Sequence, residues 1–284
     1  MLRTQEGMQG VRVLGPDDVP ALQELARRDP VVNVFADYRS SVTRLEPRWL
    51  GGEMWGYYEG GELVSACHSA ANIVPVQATS DAVAAFAERA LSQPRRCATI
   101  VGPAGPVREL WARLEPHWVK VRETRWDQPH LQIDHEPFLK PDPGVRRTRP
   151  ADLDALYPAC VAMYREEVGV SPEAGGAAGT YRARVSQLIA KGWSFARIEA
   201  GRVVFKAEVA CATPYACQVQ GVYVDPRRRG QGLAGPGMAA VVAMALRDIA
   251  PVVSLYVNAH NLAARRAYER VGFEQTATFA TVMF

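Results

Sequence analysis

The second half of the chain shows hydrophobic patterns of strand and helix type in a regular order. Apolar and alternating runs predict strands at 145–149, 193–199, 202–212, 216–224 and 252–257, with two short strands at the C-terminal end. Amphipathic runs predict helices at 151–166, at 180–191, after Gly230, and from Asn261, the expected helix cap, to Val271. This mixture of elements predicts an α+β fold.

The same local pattern occurs twice in the chain. Val11–Leu22 and Val145–Leu156 share six identical positions without a gap, and each is typical of a short strand, a Pro-containing turn and an amphipathic helix. Further on, Glu59–Val64 resembles Glu199–Val204, and each is typical of a hairpin turn between two strands. Chance could produce two short matches, but their spacing and shared order favour a duplicated fold.

The Pro-rich stretch Glu136–Gly144 is the predicted join between the two copies. We therefore predict one domain at 1–140 and a second at 141–284. Apolar residues make up 48% of the 284 positions and charged residues 22%, which is ordinary globular usage. A net charge of +3 without a long basic stripe argues against nucleic acid as a partner.

Several features predict a soluble cytoplasmic protein. The first six residues lack an apolar signal core, and the most apolar helical run, Met238–Leu246, is too short to span a bilayer. Five cysteines without a C-x-x-C pair lie among apolar neighbours, as reduced core thiols do. We expect no membrane partner and a monomer or homodimer.

The segment from Val222 to Ala234 carries the clearest chemical signal. An apolar strand ends at Asp225-Pro226, and three arginines and two glycines then precede a helix. Such a turn leaves backbone N–H groups unpaired at a helix N-terminus, where the helix dipole adds partial positive charge. The segment therefore predicts a site for a phosphate-type anion.

A second signature runs from Asn258 to Phe273. Together, Arg227-x-x-Gly230-x-Gly232 and Asn261-x-x-Ala264-x-x-x-Tyr268, followed by Gly272-Phe273, resemble the GNAT family of acyl-CoA-dependent N-acyltransferases. The whole chain is similar to actinobacterial tandem GNAT proteins with a degenerate first domain of unknown function. This resemblance implies two GNAT-like domains, each with a mixed, mostly antiparallel sheet flanked by helices.

The resemblance also implies site residues and acetyl-CoA as the acyl donor, without a metal. Backbone amides would bind the CoA pyrophosphate at Arg229, Gly230, Gln231, Gly232, Leu233 and Ala234. Val222 and Val224 would offer main-chain groups to the pantetheine arm and the acetyl carbonyl, in a splay between strands, and Asn261 would hydrogen-bond the pantetheine. Tyr268 would protonate the leaving thiolate as a general acid, although a core tyrosine is the alternative.

Transfer to an amine also needs a route for the proton that leaves the nucleophile. Many GNAT enzymes carry a glutamate on the strand before the pyrophosphate turn, but this strand has Gln218 and Gln220, which alternation places on one face with Val222 and Val224. Glu208 on the preceding strand is the candidate base, with a pKa raised by burial. The alternative for Glu208 is a structural ion pair with Lys206.

Other charged groups have weaker signals. Glu166 and Glu167 fall where the acceptor-binding loop of a GNAT begins, so they could bind a cationic amine, and a solvated helix end is the alternative. Asp134-His135-Glu136 has no partner cluster, so we predict no metal site there. Gly235-Pro236-Gly237 predicts a helix that starts late or kinks.

The first half lacks the anion-binding pattern. Its corresponding segment, residues 71–81, has no glycine pair and no arginine, so we predict that this domain does not bind CoA. The predicted function is acetyl transfer from acetyl-CoA to a primary amine by direct attack, with the acceptor unknown. The alternatives are a non-catalytic acyl-CoA-binding regulatory module and an aminoacyl-tRNA-dependent ligase, and the near-neutral charge argues against the ligase.

Overall fold

The computed structural model describes residues 10–284; residues 1–9, which include the six inspected for a signal core, lie outside the described part. The chain forms two compact units. The first contains the described residues up to His130 together with Gln275–Phe284, and the second is Leu131–Glu274. The final strand therefore belongs to the first unit.

The described part of the first unit is built from helices and strands with the following bounds. Its strands are β1 (Gly10–Val13), β2 (Glu53–Glu59), β3 (Glu62–Ser69), β4 (Asn72–Val76), β5 (Thr99–Pro103) and β6 (Glu123–Ile133). Its helices are α1 (Val19–Ala26), α2 (Val34–Thr43), α3 (Pro47–Leu50), α4 (Ser80–Leu91) and α5 (Ala104–Leu114).

The second unit repeats much of this order. Its strands are β7 (Arg146–Arg147), β8 (Ser194–Glu199), β9 (Arg202–Ala212), β10 (Cys217–Val224) and β11 (Val253–Tyr256). Its helices are α6 (Leu153–Val168), α7 (Ala178–Ala190), α8 (Ala234–Asp248) and α9 (Leu262–Val271). The last strand of the chain is β12 (Glu274–Met283), one strand where the sequence predicts two short ones.

Each unit contains a mixed sheet flanked by helices. The strand order in the first unit is β1-β2-β3-β4-β5-β12-β6, and in the second β11-β10-β9-β8-β7. The pairs β4–β5 and β10–β11 are parallel, and the pairs β1–β2, β2–β3, β3–β4, β5–β12, β7–β8, β8–β9 and β9–β10 are antiparallel. The predicted fold class, two α+β domains with mostly antiparallel sheets, is confirmed.

An equivalent ion pair opens each unit and marks the duplication. Asp18 accepts hydrogen bonds from the Arg12 guanidinium, with Nη1 at 2.8 Å, and from the Gly15 N–H, also at 2.8 Å. At the matching place, Asp152 accepts from Arg146 at 2.7 and 2.8 Å and from the Arg149 N–H at 2.7 Å. Each aspartate ends a short 3₁₀ turn that leads into the first helix of its unit.

The parallel strand pair opens in the same way in both units. Between β4 and β5 the register covers two residue pairs, from Asn72 with Thr99 to Ile73 with Ile100. Between β10 and β11 it also covers two, from Cys217 with Val253 to Gln218 with Ser254. On the C-terminal side of these residues, no backbone hydrogen bond joins the two strands of either pair within residues 10–284, so each sheet is splayed at one equivalent place.

Apolar side chains build the core of the second unit on one face of its sheet. Phe205 and Val209 of β9, Val219 of β10 and Leu255 of β11 are buried there against Met238 and its neighbours on α8. The five cysteines of the chain are all buried free thiols. No described helix combines the length and the apolar character that crossing a membrane requires.

Replacing Asp152 with asparagine is expected to lower the free energy of unfolding by about 1 kcal/mol at pH 7, because the ion pair is half exposed and screened. Arg146 lowers the pKa of Asp152 to about 2. The unfolded carboxyl titrates near pH 4, so the contribution is complete above that pH and is lost as the pH falls towards 2.

Urea unfolding of wild type and Asp152→Asn at pH 7 and pH 3 measures this contribution. The difference between the two proteins should shrink at pH 3. Asp154→Asn, which removes the exposed carboxylate paired with Arg182, is the control and should change stability little at either pH. A gap between wild type and Asp152→Asn that stays constant from pH 7 to pH 3 would contradict the assignment.

Candidate functional site

A bulge interrupts β10 where it leaves β11. Gln220 faces Glu208 on β9, and Tyr223 faces Lys206, so Gly221 and Val222 stand opposite the single residue Ala207. Gly221 has φ +61°, a conformation that favours glycine. The predicted alternation of Gln220, Val222 and Val224 on one face is therefore wrong, since the bulge breaks the period.

The turn after β10 spans nine residues, 225–233, before α8 begins at Ala234. Asp225 closes its first part by accepting from the N–H and the guanidinium of Arg227, at 3.0 and 2.7 Å. Gly230 and Gly232 both have φ +75°, and a Cβ at either position would meet no protein atom within 4 Å. Both glycines thus face open space in a left-handed backbone conformation.

The last four N–H groups of this turn are available to hold an anion. Within residues 10–284, no hydrogen bond uses the backbone N–H of residues 230–233, which lie next to the N-terminus of α8, whereas the Arg229 N–H donates to the Pro226 carbonyl at 3.4 Å. An exposed guanidinium, that of Arg229, lies in the same turn and donates to the Val224 carbonyl at 3.1 Å. Open space, unpaired donors and positive charge fit a pyrophosphate group.

Helix α8 neither starts late nor kinks, contrary to the expectation. It begins at Ala234, so Pro236 occupies the first turn, where the missing N–H would have no partner in the helix. The flanking glycines allow close packing. A Cβ at Gly235 would lie 2.8 Å from Leu139, and one at Gly237 would lie 2.8 Å from the Phe205 ring.

Helix α9 carries two of the predicted site residues, Asn261 and Tyr268. Asn261 caps the helix, as predicted, and its side-chain oxygen accepts from the Ala264 N–H at 3.1 Å. Tyr268 lies seven residues on, about two turns along the same face. Its side chain is buried against Phe273, and burial, with the nearby Glu167 charge, raises the pKa of its hydroxyl. The hydroxyl therefore stays protonated at neutral pH.

Both oxygens of the Glu208 carboxylate accept a hydrogen bond from a neighbouring side chain. It accepts from the Lys206 ammonium at 3.1 Å and from the Gln220 amide at 2.9 Å, and both charged side chains are buried. Burial alone would raise the pKa of Glu208, but Lys206 and then Gln220 outweigh it, so the pKa is lowered. The expectation of a raised pKa is therefore wrong, and the ion pair proposed as the alternative is formed.

Glu166 and Glu167, at the end of α6, contact both sides of the splay. The Arg229 guanidinium donates to Glu166 at 2.7 Å, and the Asn258 amide donates to Glu167 at 3.4 Å. Glu166 is thus already neutralised by a residue of the turn. Neither contact shows that these carboxylates bind an amine, so their acceptor-binding role stays a prediction.

Part of the second unit is similar to a known enzyme family. Residues 192–273, which include β10, the turn and α9, match the model of the acetyltransferase (GNAT) family. A mycothiol acetyltransferase of Brachybacterium faecium is 42% identical over 74 residues, a stretch that covers 26% of this chain and only 22% of that relative.

Solved structures share the fold over the whole chain. An acetyltransferase of the GNAT family from Colwellia psychrerythraea is 15% identical, with 96% of this chain and 99% of that chain covered and a TM-score of 0.55. A tandem GNAT protein from the clavulanic acid biosynthesis pathway is 17% identical, with 97% and 98% covered and a TM-score of 0.58. At these identities the likeness establishes the fold alone. Residues 52–156 match a domain of unknown function, DUF4081.

The first unit lacks the long turn of the second unit. Only three residues, 77–79, separate β4 from α4, whereas nine separate β10 from α8 in the second unit. Thr79 occupies the helix N-terminus, where its hydroxyl accepts from the Ala82 N–H at 3.3 Å. A short loop and a filled cap leave little room for a phosphate at this place.

One feature of the site was missed from the sequence, the bulge at Gly221. A glycine inside a strand pattern is the signal that could have found it, because such a glycine often marks a bulge. Asp134, His135 and Glu136 belong to no metal-type cluster: nowhere in the described chain do three or more histidine, cysteine, aspartate or glutamate side chains converge in that way.

Proposed function

We propose that the GNAT domain transfers an acetyl group from acetyl-CoA to a primary amine by direct attack. The observation that carries this proposal is the turn at 225–233, with its unpaired N–H groups, its two left-handed glycines and its open space. The splay between β10 and β11 supports it, since strands that part leave main-chain groups available for the pantetheine arm. The family match to acetyltransferases agrees with acyl transfer.

Each proposed site residue has a role that its surroundings allow. The amides of the turn, from Arg229 to Ala234, hold the pyrophosphate, while Val222, Val224 and Asn261 offer hydrogen bonds along the pantetheine and at the acyl oxygen. Acetyl-CoA supplies the activated acyl group as a thioester. Tyr268 keeps its proton at neutral pH and gives it to the departing thiolate.

The groups that could take the proton from the acceptor amine are compatible with two candidate functions. The Glu208 carboxylate is held by two partners, and β10 carries glutamines where many GNAT enzymes have an acid, so water has to accept the amine proton unless Glu208 does. This same observation favours the second candidate, an acyl-CoA-binding regulatory module without transfer. Acetyl-CoA turnover with a panel of amines separates the two, once binding of CoA has been measured by titration calorimetry.

The organisation of the whole chain follows from the same proposal. We infer a degenerate GNAT-like domain at 1–140 that does not bind CoA and a catalytic domain at 141–284. The compact units differ from these sequence bounds, since they divide after His130 and Gln275–Phe284 belongs to the first unit. We also propose a cytoplasmic monomer or homodimer, without a metal, nucleic acid or membrane partner. Titration of CoA should therefore give one site per chain, and two sites would contradict the degenerate first domain.

Replacing Glu166 with glutamine is expected to tighten CoA binding about two- to fivefold at low salt, the range of an exposed ion pair. The change frees Arg229 from its partner and removes a negative charge beside the turn. Titration calorimetry at low and high salt measures the effect, which should fade at high salt because ions screen exposed charges.

The matched control for Glu166→Gln is Glu274→Gln, which removes the same charge at the exposed start of β12. This control should bind CoA as the wild type does. Unchanged or weaker binding by Glu166→Gln would show that Glu166 does not compete for Arg229.

A further inference from the structure

The bulge of β10 lies directly on a buried ion pair. A Cβ at Gly221 would come within 3.0 Å of Met163, 3.1 Å of the Lys206 ammonium and 3.2 Å of the Glu208 carboxylate carbon. The backbone at Gly221 is therefore packed against the pair itself. A side chain at this position would force the pair and Met163 to shift by a few tenths of an ångström.

The pair is also hydrogen-bonded to the residue next to the bulge. Lys206 and Glu208 lie two residues apart on β9, so both side chains project from the same face of the sheet. Glu208 accepts the Gln220 amide at 2.9 Å, and Gln220 is the residue that immediately precedes the bulge.

Stability alone does not account for this pair. Lys206 is completely buried and Glu208 nearly so. Removing two charges from water is costly, and apolar residues of the same volume often give an equally or more stable protein. The site of the pair, under an irregularity of the strand that lines the splay, indicates a role in shaping that strand.

We propose that Lys206 and Glu208 are positioning residues, which hold the Gly221–Val222 bulge so that the Val222 main chain faces the splay. The pair acts through β10 and does not touch substrate. This inference rests on the proposed acyl transfer for its kinetic consequence, and it reassigns Glu208 from proton acceptor to positioning. Position 222 is where the resemblance places a main-chain group for the acyl carbonyl, so a shift of the bulge should impair the chemical step more than CoA binding.

The first test replaces the pair with apolar residues, Lys206→Met with Glu208→Leu. We expect a folded protein whose melting temperature equals or exceeds that of the wild type and whose CoA affinity is unchanged within about twofold, while kcat falls about 10- to 100-fold. Arg113→Met with Glu109→Leu, which removes an exposed pair on α5, is the control and should leave kcat unchanged. A folded apolar variant with wild-type kcat would overturn the proposal.

The second test reverses the pair, Lys206→Glu with Glu208→Lys, and so keeps the ion pair but removes the carboxylate from position 208. Positioning predicts that kcat recovers to within about tenfold of the wild type. If Glu208 is instead the general base, the reversed variant is as inactive as the apolar one. That result, with the reversed variant folded and bound to CoA, would overturn the proposal.

A third measurement does not depend on acyl transfer. Hydrogen–deuterium exchange of the peptide 217–224, in the protein without CoA, should be faster in the apolar variant than in the wild type and near wild type in the reversed variant. Failure of wild-type acetyl transfer would refute the proposed function and leave this exchange difference in place. Equal exchange in all three proteins would refute the positioning role, whatever the activity.

Discussion

Replacing Gly230 with glutamate is expected to abolish CoA binding, with an affinity loss of at least about 100-fold. Two effects add at this position. The φ of +75° is costly for any residue with a Cβ, by about 1–2 kcal/mol. The added carboxylate would also enter the space in front of the unpaired N–H groups, where it repels a pyrophosphate by about 4 kcal/mol at a surface-like dielectric.

Titration calorimetry with CoA measures the loss, and the chain offers a matched control. Gly51, which follows α3 in the first unit, has φ +76° and open space at its Cβ position. Gly51→Glu therefore adds the same charge and similar strain outside the unit that carries the turn, and it should bind CoA as the wild type does. If Gly230→Glu binds CoA within a few-fold of the wild-type affinity, the turn is not the CoA-binding site.

Replacing Tyr268 with phenylalanine is expected to lower kcat about 100- to 1000-fold, the usual contribution of a general acid. The ring is buried against Phe273, so phenylalanine retains the packing and loses only the hydroxyl. CoA affinity should stay within about twofold. Burial and then Glu167 raise the pKa of Tyr268 above its ordinary value near 10. The hydroxyl should therefore stay protonated up to pH 10, and kcat of the wild type should not fall below that pH through loss of this proton.

Steady-state kinetics and CoA titration together test the role of Tyr268. Tyr215→Phe is the control, since Tyr215 lies in the loop that precedes β10, at the opposite end of that strand from the turn. It should leave kcat unchanged. Full kcat in Tyr268→Phe would show that Tyr268 is a core tyrosine and that the proton comes from elsewhere.

Local chemistry allowed much of the fold to be predicted from the sequence. Asn261 was predicted as a helix cap, and it caps α9. Gly60-Gly61 and Ala200-Gly201 were expected at hairpin turns, and all four residues have positive φ. These features depend on a few neighbouring residues. The repeat was equally visible, because Arg12 with Asp18 and Arg146 with Asp152 recur at the same spacing in each copy.

The features that the sequence did not reveal depend on distant residues. Strand β12 pairs with β5, about 180 positions earlier in the chain, and a local hydrophobic pattern does not specify such a partner. The glycines at 235 and 237 in α8 are packed closely against Leu139 and Phe205, which lie far away in the chain. The balance between burial and Lys206 at Glu208 likewise needs the packed structure.

The two units differ most at the loop that follows the splayed strand. Both keep the two-residue register of the parallel pair, yet only the second keeps a long turn with left-handed glycines. In the first unit, Thr79 caps α4 directly. Loss of the turn, with the sheet retained, accounts for a duplicated fold in which we propose a single CoA site.

Release of free CoA from acetyl-CoA in the presence of a panel of primary amines tests the central claim most directly. The panel should include amino acids, polyamines, aminoglycosides and lysine peptides, and mass spectrometry should follow each amine. We expect at least one amine to gain a single acetyl group at a rate that Gly230→Glu abolishes and Tyr268→Phe lowers at least about 100-fold. Tight binding of CoA without acetylation of any amine would contradict the transferase and support the regulatory module.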